Sequence, residues 1–350
     1  MKPTASVIMP CFNVEPYIGS ALESVLSQTF TDFEIVAVDD GSTDSTASIL
    51  ARYAARDSRI RVLSQSNLGV SAARNRGLDA AQGTYIFFVD PDDQAHSDML
   101  AKGIAEMERS DADCCIFAYR RRFGDDGEWQ AMPLQGKYSY TDNNSILAGF
   151  FPHLFGYSNE QARVWGRRGN WRKGREEGSV CRCVYRRELI ARTGVRFDET
   201  VVLYEDAMFN CEYLLQAQSM TCINEPLYDY TVRPQGAVTT NNRTQALFAN
   251  KRRLLERRKA IDRKSGGRLT AAYSASCVFS VLEMLKALVA TDIGLREGLR
   301  EIRSYLREPV VRKALHTFPL PVLRPLAFAA ILLLRMSFKV RETMPAASDQ

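Results

Sequence analysis

The 350-residue sequence predicts an α/β domain with a mostly parallel sheet and helices on both faces, followed by a helical C-terminal extension. Three observations support this fold class. Short apolar segments alternate with segments of helical spacing over residues 1–119, acidic turns follow two of the apolar segments, and helical patterns dominate after residue 240. Such alternation is typical of parallel strands joined by helical crossovers.

The front part of the chain contains alternating strand and helix patterns. Apolar or β-branched runs predict strands over residues 6–10, 33–38, 61–63, 85–89 and 112–119. Helical spacing predicts helices over residues 16–26, from the turn at 39–44 to about 56, 70–80 and 97–109. In sheets of this kind ligands bind at the carboxyl ends of the strands, and both acidic clusters of the front part follow strands.

The pattern weakens after Arg120 and becomes helical near the C-terminus. Residues 123–136 and 156–178 are predicted as loops, and residues 227–232 as an edge strand. Helices are predicted over residues 186–192, 205–216, 244–263, 269–290 and 295–307. We therefore divide the chain into residues 1–119 and 120–240, as two halves of one domain, and a helical extension over 241–350.

The formal charge of +5 hides an uneven distribution. Residues 1–119 carry 9 Lys and Arg against 17 Asp and Glu, and residues 120–350 carry 37 against 24. An acidic half can host a divalent cation, whereas a basic half suits phosphates or a membrane surface. The basic segments 163–175 and 251–259 lack an accompanying RNA-binding motif. We expect an anionic, lipid-linked or phosphorylated acceptor for them, and no nucleic acid.

The N-terminal pattern, the cysteines and one apolar segment bear on the compartment of the protein and on its contact with membranes. No N-terminal secretory pattern is present, and the eight irregularly spaced cysteines indicate free thiols, so we expect a cytoplasmic protein. Residues 325–334 are apolar and flanked by basic residues, but a bilayer core needs about 20 residues. This segment is either a buried core helix or an interfacial helix. We favour peripheral membrane contact through residues 320–341.

Carboxylates are the main chemical groups that the sequence offers. It contains no G-x-G-x-x-G, P-loop, H-E-x-x-H or G-x-S-x-G motif. Asp39 and Asp40 end the second predicted strand, and Asp90, Asp92 and Asp93 follow the fourth. Carboxylates this close repel one another unless a cation lies between them, and oxygen ligands suit Mg²⁺ or Mn²⁺ bound together with substrate phosphates. The alternative is a solvated turn.

A uridine pocket is predicted beside the acidic turns. A carboxylate such as Asp40 can accept the imide N–H of uracil, and Phe12, just after the first strand, can cover a base face. Taken singly, Asp40 would more often be a turn residue and Phe12 a core aromatic. Their common position at strand ends favours the base pocket.

These segments resemble the inverting glycosyltransferases of family 2, which have the GT-A fold. The resemblance rests on SVIMPCFN (6–13), LSQTF (26–30), VDDGSTD (38–44), NLGVSAARN (67–75) and YIFFVDPDD (85–93). It covers residues 4–100 almost without a break, and it resumes at YRRELI (185–190), FDE (197–199) and Glu205-Asp206. The fold implied is a GT-A type, Rossmann-like mixed sheet that is mostly parallel.

The resemblance implies that one set of residues binds a nucleotide sugar. Asp40 is similar to the uracil-binding aspartate, and Asp90 to the first carboxylate of the D-x-D pair, near the ribose. The full set consists of Pro10, Phe12, Glu15, Asp40, Arg74, Asp90 and Arg233. Arg233 corresponds to a basic residue over the diphosphate, although a surface arginine on an edge strand is the alternative.

The same resemblance implies the catalytic groups. Asp92 is similar to the metal ligand for Mn²⁺ or Mg²⁺, and Asp206 to the catalytic base, which we expect the helix dipole to keep ionised. Pro91 replaces a commoner small residue inside the D-x-D pair without removing a carboxylate. A base opposite a metal-bound diphosphate would invert the anomeric carbon during transfer.

The predicted function is therefore a metal-dependent hexosyl or N-acetylhexosaminyl transfer. The donor is a nucleotide sugar, most simply a UDP-sugar. The acceptor is a hydroxyl of a saccharide or lipid-linked molecule in surface polysaccharide or glycolipid synthesis. Two alternatives stay open. A metal-dependent nucleotidyltransferase would need a glycine-rich, lysine-bearing loop that residues 10–17 lack, and a nucleotide-sugar-binding scaffold without turnover would have no use for both Asp92 and Asp206.

Overall fold

The computed structural model of the chain describes residues 2–134, 139–155, 178–233, 246–290 and 295–317. The basic segment 163–175 and the apolar segment 325–334, with its predicted membrane contact over 320–341, lie outside the described residues. The chain divides into two compact units. One comprises residues 1–151 and 176–241, and the other residues 152–175 and 242–350.

The first seven elements follow the predicted order. They are β1 (Ala5–Cys11), α1 (Ile18–Leu26), β2 (Phe33–Asp39), α2 (Thr46–Ala54), β3 (Ile60–Ser64), α3 (Val70–Ala80) and β4 (Tyr85–Phe88). β1 pairs in parallel with β2 and β4, and β2 pairs in parallel with β3. Every residue of β1 and β2 is buried, which agrees with their mainly apolar sequence.

The next elements differ more from the prediction. They are β5 (Gln94–Ala95), α4 (Met99–Ser110), β6 (Cys114–Phe123), β7 (Gln130–Met132), α5 (Asn143–Gly149), α6 (Phe151–Phe155), β8 (Cys183–Arg186), α7 (Arg187–Thr193), α8 (Glu205–Leu214) and β9 (Met220–Val232). β7 lies within the predicted loop 123–136, and β8 was not predicted. The predicted boundary at 119/120 falls inside β6, so the two halves share a strand.

All nine strands of the described residues belong to one mixed sheet. Its order is β3-β2-β1-β4-β8-β6-β9-β5, with β7 paired to β6. β8 is antiparallel to both β4 and β6, so it joins the two halves of the sheet. The predicted mostly parallel α/β sheet is thus confirmed.

The strand predicted over residues 227–232 is present as part of β9, but its predicted position at the sheet edge was wrong. β9 begins at Met220 and lies between β6 and the two-residue strand β5. The pairing register between β6 and β9 shifts between Phe117 and Ala118, opposite Ile223 and Pro226. This irregularity interrupts the apolar pattern of the strand, which is why the sequence resembles a shorter strand.

Strand register brings the predicted donor residues to one edge of the sheet. Cys11 at the end of β1 pairs with Asp39 at the end of β2, and the Asp40 amide donates to the Cys11 carbonyl at 2.8 Å. On the other side of β1, Ile8 pairs with Phe88. The residues after these three strands therefore emerge side by side.

An aromatic cluster packs α8 against the sheet. Phe197 stacks on Phe209 with ring centroids 4.2 Å apart, and Phe88 meets both rings edge to face. Tyr185 of β8 contacts Phe88 and Phe209 in the same geometry. Burial of these rings fixes the start of α8 relative to the carboxyl end of β4.

The described part of the second unit is helical. It contains α9 (Ala246–Lys264), α10 (Thr270–Ala290), α11 (Leu295–Leu306) and α12 (Pro309–Thr317). This confirms the predicted helical C-terminal region and adds α12. Among the described residues, no helix is both long enough and apolar enough to cross a bilayer.

We expect Gly83→Ala to lower the free energy of unfolding by about 1–3 kcal/mol, because the new methyl group overpacks a backbone contact. A Cβ at Gly83 would lie 2.5 Å from the backbone carbon of Ala5 and the nitrogen of Ser6. Gly19→Ala is the control, since its Cβ would approach nothing closer than the Tyr53 hydroxyl at 3.6 Å. Helix propensity should make that variant more stable by about 0.5–1 kcal/mol. Urea unfolding that gives equal stabilities for the two variants would contradict this packing.

Candidate active site

A single buried arginine joins the two acidic motifs. Arg74 lies in α3 with 3% of its surface exposed. Its Nη1 contacts Asp206 Oδ1 at 2.6 Å and Glu205 Oε1 at 3.1 Å, and its Nη2 contacts Asp90 Oδ1 at 2.9 Å. The D-x-D turn and the Glu205-Asp206 motif are thus parts of one site.

Local contacts position the Glu205-Asp206 motif beside Arg74. The neighbouring Asn75 accepts a hydrogen bond from the Phe197 amide at 2.8 Å and donates to the Phe197 carbonyl at 3.0 Å. Tyr204, which precedes α8, has φ +70°. That left-handed conformation is rare for an aromatic residue, and such strain is concentrated at functional sites.

Burial changes the expected protonation of Asp206. Desolvation is the largest effect and raises the pKa of Asp206 to about 8, although the charge of Arg74 opposes it. Burial also raises the pKa of Glu205, again against the charge of Arg74. We predicted that the helix dipole would keep Asp206 ionised. In the structure, desolvation raises the pKa of Asp206 by more than the charge of Arg74 lowers it.

The acidic turn after β4 is anchored by a carboxylate to which we assigned no role. Asp93 is buried, and its two oxygens accept hydrogen bonds from the Tyr228 hydroxyl and the Thr231 amide, both at 3.0 Å. The Tyr228 hydroxyl also accepts from the Asp90 amide at 3.0 Å. Burial raises the pKa of Asp93 well above its ordinary value. Asp93 therefore attaches the turn to β9 and leaves Asp90 and Asp92 at the surface of the site.

Asp92 faces a polar cavity and is paired with Arg233. The Arg233 Nη1 lies 3.1 Å from Asp92 Oδ2 and donates to the Asp92 carbonyl at 2.6 Å. Burial and the charge of Asp90 raise the pKa of Asp92, whereas Arg233 lowers it. The cavity, of about 310 Å³, is lined by Pro16, Tyr17, Ser20, Asp92, Gln94, Arg122, Asp125, Thr231 and Arg233.

The residues predicted to hold the base lie at the ends of β1 and β2. Pro10 is buried within β1, and Phe12, which follows it, is 42% exposed. Glu15 accepts a hydrogen bond from the Ser45 amide at 3.0 Å, so it anchors this loop to the start of α2. An exposed aromatic ring on an anchored loop is suited to stacking on a base.

The Asp40 carboxylate contacts the loop before α3. Its Oδ1 accepts hydrogen bonds from Gln65 Nε2 at 2.8 Å and the Leu68 amide at 2.9 Å, and its Oδ2 accepts from the Gly69 amide at 2.8 Å. A carboxylate oxygen has two lone pairs, so Oδ2 can still accept from a ligand. Asp40 also fixes the loop from which the helix of Arg74 begins.

The structure therefore brings most of the predicted residues together. Asp90, Arg74 and Asp206 are in direct contact, and Asp92 pairs with Arg233. Sequence reasoning missed the parts played by Asn75, Asp93, Glu205 and Tyr228. The first three lie in motifs already identified and Tyr228 lies in a predicted strand, but only their side-chain partners show that they hold the site in place.

The donor set fits a divalent cation that is also bound by substrate phosphates. Within the described residues, no group of three or more His, Cys, Asp or Glu side chains could enclose a metal by itself. Asp92 has 35% of its side chain exposed, and a guanidinium is already its counter-ion. Mg²⁺ and Mn²⁺ sites commonly use one or two carboxylates and complete their coordination with substrate phosphates and water.

We expect Arg74→Met to lower the free energy of unfolding by about 3 kcal/mol, because it leaves three carboxylates without their buried cation. Arg76→Met is the control, since Arg76 is exposed on the same helix. It should change the stability by less than about 0.5 kcal/mol. Urea unfolding measures both. Equal stabilities for the two variants would show that Arg74 does not hold the site together.

Comparisons with known proteins agree with the motifs. Residues 6–172 match the family model described as Glycosyl transferase family 2. "Uncharacterized glycosyltransferase EpsJ" of Bacillus subtilis is 34% identical over 67% of this chain and 62% of its own length. "Cholesterol galactosyltransferase" of Borreliella burgdorferi is 31% identical over 65% of this chain and 60% of its own length. The matched segment thus spans about three fifths of these two relatives.

Solved structures show the same fold at low sequence identity. S. aureus TarS, residues 1–349, has a TM-score of 0.60 at 20% identity and covers 100% of this chain and 94% of its own. The mannosyltransferase PcManGT from Pyrobaculum calidifontis has a TM-score of 0.51 at 17% identity. The match covers 96% of this chain and 88% of PcManGT. The fold is the GT-A type that the motifs imply. The family-model match and these relatives together identify residues 6–172 as a glycosyl transferase family 2 domain.

Proposed function

We propose that this chain transfers a sugar from a UDP-sugar to an acceptor hydroxyl with inversion at the anomeric carbon. The observation that carries this proposal is the contact of Arg74 with both Asp90 and Asp206. Asp206, which we propose as the base, and Asp90 of the D-x-D turn share this one guanidinium. A nucleotide-sugar-binding scaffold would not need that arrangement.

The donor would bind along the ends of β1, β2 and β4. Phe12 would stack on uracil, Asp40 Oδ2 would accept its imide N–H, and Asp90 would lie near the ribose. Pro10 and Glu15 support the loop that carries Phe12. A uridine donor is further supported by TarS, a structural relative solved with UDP-GlcNAc.

Asp92 would hold a Mn²⁺ or Mg²⁺ ion together with the donor diphosphate. When bound, the cation would neutralise the negative charge that develops on the leaving diphosphate. The acidic turn is suited to this role because Asp93 fixes its backbone and Asp92 faces the cavity. PcManGT, solved in complex with GDP-Man and Mn²⁺, supports a metal requirement.

Asp206 would act as the base. Its carboxylate would accept the proton of the acceptor hydroxyl as that oxygen attacks the anomeric carbon. A base whose pKa lies near the working pH combines a useful ionised fraction with sufficient basicity, and the pKa of Asp206 is about 8. The Arg74 contact orients the carboxylate and favours its ionised form.

The acceptor would be a saccharide or a lipid-linked molecule, bound by the half of the domain over residues 120–240. The basic charge of residues 120–350 suits an acceptor that carries phosphate or lies at an anionic surface. Transfer of a hexose or an N-acetylhexosamine in surface polysaccharide or glycolipid synthesis fits this site.

We expect Asp206→Asn to lower turnover by about 10²- to 10⁴-fold, the usual contribution of a general base. Its affinity for UDP should stay within about twofold of wild type, since binding does not need a base. The wild-type kcat/KM should rise with pH up to about 8 and then level off, because the base is ionised only above its raised pKa. A variant with wild-type turnover would remove Asp206 from the mechanism.

We expect Asp92→Asn to weaken Mn²⁺-dependent UDP binding by about tenfold or more, because it removes the protein ligand of the cation. Asp98→Asn is a matched control, since Asp98 and Asp92 both have 35% of their side chains exposed and Asp98 pairs elsewhere, with Lys102. Calorimetry with and without Mn²⁺ measures the UDP affinity of both variants. The same affinity in the two variants would reject Asp92 as the metal ligand.

A further inference from the structure

Arg233 lies between two carboxylates at the end of β9. Its Nη1 contacts Asp92 Oδ2 at 3.1 Å, and its Nη2 contacts Asp125 Oδ1, in the turn between β6 and β7, at 3.3 Å. The same Nη1 donates to the Asp92 carbonyl at 2.6 Å. One guanidinium thus supplies positive charge to the carboxylate that we assign to the metal.

An aromatic ring as well as the two carboxylates holds Arg233 in place. Its guanidinium carbon lies 4.1 Å from the centroid of the Tyr17 ring, which is the geometry of a cation–π contact. The Arg233 side chain is only 13% exposed. This excludes the alternative of a solvated surface arginine, because a solvated side chain would not be enclosed between an aromatic ring and two carboxylates.

We propose that Arg233 is a built-in counter-cation that competes with the divalent metal ion for Asp92 and moves onto the donor diphosphate when the ion binds. This inference rests on the proposed role of Asp92 as metal ligand. It assigns Arg233 two successive partners, whereas the resemblance implies a contact with the diphosphate alone.

Competition follows from the shared oxygen and from charge. The Asp92 oxygen that accepts from Arg233 is a candidate metal ligand, and a divalent ion there would lie close to the guanidinium. Like charges at that separation repel strongly in a partly buried site. Binding of the ion therefore requires Arg233 to withdraw, and the cost of breaking the Asp92–Arg233 pair lowers the apparent affinity for the metal.

The surroundings offer Arg233 a place to go. Asp125 already contacts the other guanidinium nitrogen, and its own side chain is 62% exposed, so it can follow the arginine. The cavity of about 310 Å³ that contains Asp92, Asp125 and Arg233 leaves room for this movement. A diphosphate bound beside the metal would provide a stronger partner, because charge-assisted hydrogen bonds from arginine to phosphate are bidentate.

Calorimetric titration with Mn²⁺ alone, in the absence of nucleotide, tests the inference on the full chain. We expect Arg233→Gln to bind Mn²⁺ about three- to tenfold more tightly than wild type, because the competing ion pair is gone. With saturating Mn²⁺, the same variant should bind UDP about tenfold more weakly, because the diphosphate loses its arginine. Competition for Asp92 is therefore indicated by a gain in Mn²⁺ affinity together with a loss in UDP affinity in the same variant.

Arg122→Gln is the matched control. Arg122 lines the same cavity and pairs with Asp125 at 3.4 Å, so the variant removes an equal charge without touching Asp92. Its Mn²⁺ affinity should stay within about twofold of wild type, as should that of Arg233→Lys, which keeps a positive charge beside Asp92. An equal gain of affinity in Arg122→Gln would show a general charge effect and overturn the inference.

The outcomes separate this inference from the proposed function. If Asp92→Asn abolishes Mn²⁺ binding while Arg233→Gln binds like wild type or more weakly, only the competition is overturned. If Mn²⁺ binding does not depend on Asp92, the metal role of Asp92 and the competition fail together. Tighter Mn²⁺ binding by Arg233→Gln but not by Arg122→Gln supports both.

Discussion

The site depends on one buried guanidinium that neutralises carboxylates from distant parts of the chain. Arg74 reaches Asp90 at the end of β4 and the Glu205-Asp206 pair at the start of α8. A buried cation needs such partners, and buried carboxylates need such a cation. The two halves of the domain are therefore coupled through charge as well as through the shared sheet.

Three levels of structure support that contact. Strand register places the ends of β1, β2 and β4 side by side, Asp93 attaches the acidic turn to Tyr228 and Thr231, and stacked rings hold α8 against the sheet. Arg233 lies on the far side of the same turn. Two arginines thus contact the acidic turn, one buried beneath Asp90 and one at the cavity beside Asp92.

The sequence predicted the front of the fold well because β1, β2 and β4 are buried along their whole length and are mainly apolar. It failed where polar residues interrupt strands, as at the irregular pairing of β9, and where β8 is only four residues long. The acidic turn after the fourth predicted strand pointed to Asp92, and the resemblance to family 2 added Arg74 and Asp206 as candidates. Neither could show that Arg74 contacts other side chains, nor that desolvation of Asp206 outweighs the charge of Arg74. Both facts depend on tertiary burial.

We propose that these carboxylates and arginines surround one cation-bridged diphosphate. Anomalous diffraction from crystals grown with UDP and Mn²⁺ tests it most directly, since the manganese position is then located without assumption. We expect one strong peak bonded to an Asp92 carboxylate oxygen, with Arg233 turned to the diphosphate and the Arg74 cluster intact. A manganese site away from Asp92, or UDP bound in another cavity, would contradict it.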